Sequence, residues 1–199
     1  MAELDAASMV SIAPSNSGTR GASQSRIIAA VGAILADTLA ACDTNSNLRA
    51  AHFLAQTCHE SDGFVTTVEY GDGTAYNGRI DLGNTQPGDG PRFKGRGLIQ
   101  LTGRTNYKQY GDLLGLDLIA SPDTAADPAI ALKLACAFWK LKRLNALADQ
   151  DDIVTITRRI NGGLNGLDSR RHYLALAKTA LGVTADEAGG ARTLAKLGV

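Results

Sequence analysis

Between Gly71 and Gly97 the chain loses every apolar period and carries eight glycines and two of its five prolines. A stretch of that composition cannot bury a core of its own, so it must be an ordered loop, or a few short strands, laid across neighbouring helices. Long loops of this kind inside compact domains are usually functional. The flanks supply the helices. From Ser25 the apolar residues Ile27, Val31, Ile34, Leu35 and Leu39 recur at helical spacing, and Leu48, Ala51, Leu54, Ala55 and Cys58 repeat the pattern behind a cap at Asn45 or Asn47. Periodicity returns after Thr105, first over Tyr107 to Leu114 and then over Ala129 to Leu147, with Pro128 in the first turn and Asp127 as its cap. Further helices are expected over Ile153 to Ile160, ending in Asn161-Gly162-Gly163, and over Ser169 to Leu181. The expected fold is mainly α with a small irregular or β lobe.

The 199 residues suffice for one domain with lobes, and 44% hydrophobic against 20% charged residues excludes a disordered chain or a fibre. Twenty Lys and Arg balance twenty Asp and Glu, so no global field draws the chain to nucleic acid or to an anionic membrane. Residues 1–24, rich in Ala, Ser, Asn and Gly, are expected to form an irregular arm, with a single domain over 25–199 and its smaller lobe near 108–150. The opening Met-Ala-Glu-Leu-Asp places acids where an export signal needs bases, which predicts a cytoplasmic protein. Cys42, Cys58 and Cys136 are odd in number and sit in apolar helical contexts, as buried thiols rather than a disulfide framework would. Cys58 beside His59 is no nucleophile pair, because helical neighbours point about 100° apart.

Two carboxylates stand out. Glu60 lies off the apolar stripe of its helix, with Phe53 and Gln56, and faces the negative end of the helix dipole, a setting that suits a proton donor. A solvated glutamate at a helix end has the same pattern. Glu69 ends the β-branched run Val65-Thr66-Thr67-Val68, a candidate short strand, and a nine-residue excursion can carry it across a cleft from Glu60. Asp62, Asp72 and Asp81 compete for that second role. From Phe93 to Tyr107, Gly95, Gly97 and Gly103 permit close backbone approach while Gln100, Thr102 and Asn106 offer polar groups to one face; a turn with Thr102 or Thr105 as a helix cap is the structural alternative. A second polar cluster, Arg158 to Gly166 with Arg170 and Arg171, reads as a helix end, a glycine turn and the next helix start.

His59-Glu60, the run Gly95 to Thr102 with Asn106-Tyr107, Gly115 to Leu118, Asp127-Pro128 through Phe138-Trp139, and Ile160 to Gly163 together resemble the family 19 glycoside hydrolases, and most closely the endolysins of tailed phages and prophages. The resemblance spans roughly residues 45 to 180. It implies a lysozyme-like fold with a groove between a larger and a smaller lobe, Glu60 as general acid, Glu69 as the carboxylate that activates water, and Thr102 as the hydroxyl that helps hold that water. It further implies sugar-binding roles for Gln100, Asn106, Tyr107 and Asn161, with His59 and Arg170 supporting the site. Plant-type members carry Gly-Gly after the first glutamate motif, a longer path to the second glutamate and several disulfides; Asp62-Gly63-Phe64 and a short path stand here instead.

These departures shift the expected substrate from chitin toward peptidoglycan. The expected enzyme is an endolysin cutting the β-1,4 bond between N-acetylmuramic acid and N-acetylglucosamine with inversion, and the alternatives are a chitinase or an inactive wall-binding protein. No metal or organic cofactor is expected, since the three histidines form no ligand cluster. The expected partners are glycan strands alone, acted on by a monomer without stable membrane association that waits in the host cytoplasm for a holin.

Overall fold

The computed structural model describes residues 2–184 and Glu187. Among the described residues ten α-helices run in the order α1 (Ala6–Ile12), α2 (Gly18–Gly32), α3 (Leu35–Ala41), α4 (Asn47–Glu60), α5 (Asp89–Arg92), α6 (Arg104–Leu114), α7 (Pro128–Leu141), α8 (Asn145–Ala148), α9 (Ile153–Asn161) and α10 (Leu167–Ala180). Short 3-10 turns at Thr74–Tyr76, Ile80–Leu82 and Pro122–Ala126 punctuate the loops. Among the described residues there is no strand; the run Val65 to Val68 contributes only an isolated bridge from Val68 to Arg96, and Arg96 bridges Leu101.

α4 is the centre of the larger core. Ser46 caps it, accepting from the Arg49 amide at 3.2 Å, where an asparagine cap was expected. Every residue from Ala50 to Cys58 is buried. Its sequence carries one apolar stripe, yet the opposite face is covered as well, because α10 lays Arg170 against Gln56 and Glu60. Phe53 meets Trp139 of α7 edge-on at 5.3 Å, tying α4 to α7. Burial pushes the Cys58 thiol far above its ordinary range, so it is an inert core residue.

The structure corrects three further expectations. Residues 1–24 do not form an irregular arm: Asp5 and Ser8 close a capping box that starts α1, and Met9 and Ile12, three apart on one face, are fully buried. Cys42 and Cys136 are not free thiols. α3 and α7 pack side by side and bring their Cα atoms to 5.8 Å across 94 residues of sequence, and the two sulfurs form a disulfide. The helix after Pro128 ends at Leu141 rather than Leu147, and α8 is a separate element. Asp127 does cap α7, accepting from Ala129 and Ile130.

A second, smaller core gathers Phe93, Leu101, Tyr107, Tyr110, Leu118, Ala125 and Leu134. Leu144 and Ala148, which the range 108–150 would have assigned to the smaller lobe, pack in the larger core instead. Tyr107 was expected to touch sugar. It is fully buried, and its hydroxyl donates to the Lys94 carbonyl at 2.7 Å and accepts from Arg96 at 3.0 Å, so it braces the Phe93 to Asn106 segment from inside.

Candidate active site

Glu60 is the last residue of α4, and the backbone reverses immediately beyond it. Asp62, Gly63 and Phe64 have φ of 55°, 73° and 62°, a left-handed run that costs the two non-glycine residues of order 1 kcal/mol each. The turn is held because Phe64 is fully buried and Gln24 donates to the Gly63 carbonyl at 2.6 Å. The Glu60 carboxylate is 15% exposed and meets Arg170 Nη2 at 2.5 Å. Arg170 is itself fully buried, with its other Nη donating to Gln56 Oε1 and its Nε to the Asn165 carbonyl at 3.4 Å. Gln56 was missed as a site residue. The signal was available: it stands one turn before Glu60 on the same face, a polar side chain inside a buried helix.

His59 leans on α10. Its Nδ1 lies 3.0 Å from Ser169 Oγ, and a Cβ added at Gly166, where φ is 71°, would stand 2.3 Å from the ring, so only glycine admits the imidazole there. Burial, with the Arg170 charge beside it, holds His59 below its ordinary value, favouring the neutral ring.

Glu69 belongs to a different element. Its amide donates to the Gly95 carbonyl at 3.0 Å, and Gly97 donates to Thr67, which fastens the Glu69 segment to the Gly95 loop. Tyr76 donates to Glu69 Oε2 at 3.0 Å. Glu69 Oε1 and Gln100 Oε1 are buried acceptors that find no donor among the described residues. Both side chains converge on Gly95: a Cβ there would stand 2.8 Å from Glu69 Oε2 and 2.9 Å from Gln100 Oε1. Gln100 has φ of 53° and its amide nitrogen donates to the Gly97 carbonyl at 3.1 Å, so a strained backbone aims this side chain inward. The competing carboxylates are engaged elsewhere. Asp62 pairs with Arg20 at 3.0 Å and accepts from Tyr70 at 2.5 Å, Asp72 caps Thr74, and Asp81 takes two bonds from Arg79.

Thr102 does not cap α6; Gly103, with φ of 91°, occupies that position. The Thr102 hydroxyl donates to the Gln100 carbonyl at 2.8 Å, leaving its lone pairs as acceptors, while Asn106 donates back to the Thr102 carbonyl at 2.7 Å. Gln100, Thr102 and Asn106 line one groove of about 350 Å³, whose walls come from both cores: Leu101 and Tyr110 on one side, Ile99 and Ile160 on the other. Asn161 is exposed, next to Ile160 at the end of α9. A larger apolar hollow of about 580 Å³ between α3, α6 and α7 holds none of these residues. Among the described residues no three His, Cys, Asp or Glu side chains gather as a metal site.

The chitinase class I family model of glycoside hydrolase family 19 matches residues 22–162. A glycosyl hydrolase family 19 domain-containing protein of Haemophilus influenzae is 34% identical over 166 residues, covering 67% of this chain and 81% of that protein. An endochitinase of Arabidopsis thaliana is 40% identical over 142 residues, covering 67% of this chain, and there the chain spans about half of the relative's length, 48%. Chitinase C from Streptomyces griseus superposes with a TM-score of 0.70 at 26% identity, covering 91% of this chain and 77% of that one. A bacterial family 19 chitinase gives a TM-score of 0.66 at 28% identity, with 91% and 96% covered. Family model, sequence relatives and fold neighbours thus agree, and the chain belongs to glycoside hydrolase family 19, as a glycoside hydrolase of chitinase-like, lysozyme-like fold.

Proposed function

We propose that this enzyme is an endolysin that hydrolyses the β-1,4 bond between N-acetylmuramic acid and N-acetylglucosamine in peptidoglycan, with inversion. The observation that carries the mechanism is that two carboxylates are held by unrelated networks on separate elements: Glu60 by Arg170 at the end of a buried helix, Glu69 by Tyr76 and the Gly95 loop. Groups fixed independently can face opposite sides of one sugar ring, as an acid and a base must. Glu60 gives its proton to the glycosidic oxygen, and Arg170 then stabilises the carboxylate left behind. Glu69 takes a proton from the water that attacks the anomeric carbon. The Thr102 hydroxyl, already donating to Gln100, accepts from that water and orients it. Gln100, Asn106 and Asn161 hold the sugar amides and hydroxyls, and neutral His59 supports the Glu60 end of the site.

The short path from Glu60 to Glu69 supports peptidoglycan as the substrate. In its own setting the enzyme works as a monomer on glycan strands, stays in the host cytoplasm until a holin opens the inner membrane, and acts in the periplasm, where the Cys42–Cys136 disulfide persists. Chitin cleavage is the second reading, favoured by the chitinases among the relatives and structural neighbours. The test is mass analysis of peptidoglycan digested by the purified enzyme, run beside glycol chitin, with the anomer of the first product read by NMR. Reducing N-acetylmuramic acid ends formed first as the α-anomer support the proposal. Cleavage of glycol chitin with intact peptidoglycan supports the chitinase instead, and binding to walls without cleavage of either makes the protein a wall-binding module.

A further inference from the structure

The groove that holds Gln100, Thr102 and Asn106 also presents two cations. Lys142, just beyond α7, and Arg159, in the last turn of α9, both line it and both are exposed. They are not left loose in solvent. Arg159 Nη1 donates to the Lys142 carbonyl at 3.0 Å, and Lys142 Nζ sits 5.6 Å from the centre of the Phe138 ring, itself part of the groove wall. Neither makes an ion pair with a carboxylate among the described residues, and no Asp or Glu lines the groove. Lys108 pairs with Asp112 and Lys140 with Asp43, while Lys133, Arg143 and Arg158 are exposed without an ion pair among the described residues; what sets Lys142 and Arg159 apart is that both line one groove. In a chain whose charges balance at twenty each, a groove lined by two cations and no carboxylate is locally positive.

A neutral N-acetylglucosamine polymer would crowd the hydration shells of these two groups and return no countercharge. A glycan carrying carboxylates offers both cations a partner at the edge of a groove whose other contacts are amides, a hydroxyl and apolar side chains. We propose that Lys142 and Arg159 form a subsite for a carboxylate carried on the glycan, so that the groove selects an anionic polymer over a neutral one. Peptidoglycan supplies such groups on the stem peptides of alternate sugars. The inference rests on the peptidoglycan reading for its natural substrate, and carboxylated chitin tests it independently.

The experiment compares kcat/KM on glycol chitin, on carboxymethyl chitin and on peptidoglycan for the wild type, the double variant K142Q/R159Q and the charge-reversed K142E/R159E. The wild type should favour carboxymethyl over glycol chitin, and added salt should erode the preference. In K142Q/R159Q the carboxymethyl-to-glycol ratio should fall about three- to tenfold, the size of two exposed ion pairs, with a parallel loss on peptidoglycan; K142E/R159E should fall further. Circular dichroism and thermal midpoints confirm that each variant is folded. An unchanged ratio in both folded variants overturns the subsite, as does a wild type with no preference for the carboxylated polymer. A wild type that shows the selective effect on carboxymethyl chitin yet leaves peptidoglycan intact keeps the subsite and removes the endolysin reading.

Discussion

Gly95→Ala separates the geometry of the proposed base from the stability of the fold. The new methyl would stand 2.8 Å from Glu69 Oε2 and 2.9 Å from Gln100 Oε1, where ordinary contact begins at 3.4 Å. Each side chain must therefore retreat by about 0.5 to 0.6 Å, the difference between those distances. Misplacing a reacting group by about 1 Å costs on the order of 10²-fold, so half of that displacement should cost roughly tenfold in kcat, or about 1.4 kcal/mol on the barrier. Stability should move little. Gly95 is not among the positive-φ residues, the atoms displaced are ends of flexible side chains, and replacing a glycine at a compatible position gains about 0.4 to 1 kcal/mol through the unfolded chain. Initial rates at saturating substrate and urea midpoints read the two effects separately. Gly103→Ala is the contrasting control: with φ of 91° and a Cβ 2.6 Å from the Leu82 carbonyl oxygen, it should lose stability by more than about 1 kcal/mol. A kcat within twofold of wild type for Gly95→Ala would refute the assignment of Glu69 and Gln100 to the reacting centre.

Glu60→Gln should fold normally and lose at least about 10² of the rate, because a positioned general acid contributes about 10² to 10⁴, and a folded variant with near-wild-type turnover would remove Glu60 from that role. Thr102→Ala should lower kcat more than it raises KM, since a hydroxyl that orients water acts in the transition state; loss of activity only in step with loss of stability would make Thr102 structural. Reducing the Cys42–Cys136 bond, which spans 94 residues, should lower unfolding stability by about 2 to 4 kcal/mol in urea, and equal midpoints with and without dithiothreitol would contradict its structural role. Burial holds the His52 imidazole below its ordinary value despite Asp151 at 2.9 Å, so the unfolded chain takes up a proton near pH 6.5 that the native state resists. Its contribution to stability is thus present above about pH 6.5 and lost as pH falls below it, whereas Asp151, whose carboxyl is depressed, loses its own only below about pH 3.9. Urea midpoints should decline from pH 7.5 to 5 and decline less in His52→Gln; a flat wild-type profile would contradict this.

The helical class, the cap at Asp127, the glycine turn at Gly162 and the aperiodic character of 71–97 were legible in the sequence, because each rests on interactions within a few residues. That Gln100, Thr102 and Asn106 offer polar groups to one face was legible too, and they line one groove. What only the tertiary structure decided involves residues far apart in the chain. Arg170 reaches Glu60 across 110 positions, and Gln56 anchors that arginine because α10 covers a face of α4 that the apolar stripe alone leaves open. Cys42 and Cys136 meet only because α3 packs on α7. Tyr107 sits beside sugar-binding candidates in sequence, but one helical step turns it by about 100° from Asn106 and into the smaller core. The N-terminal helix escaped the composition of its segment because a seven-residue helix is marginal in isolation and is held by the larger core, where Met9 and Ile12 are buried. Local pattern determines which residues can form a helix, a cap or a turn; which faces are covered, and which distant charges meet, is decided when those elements bury their surfaces against one another.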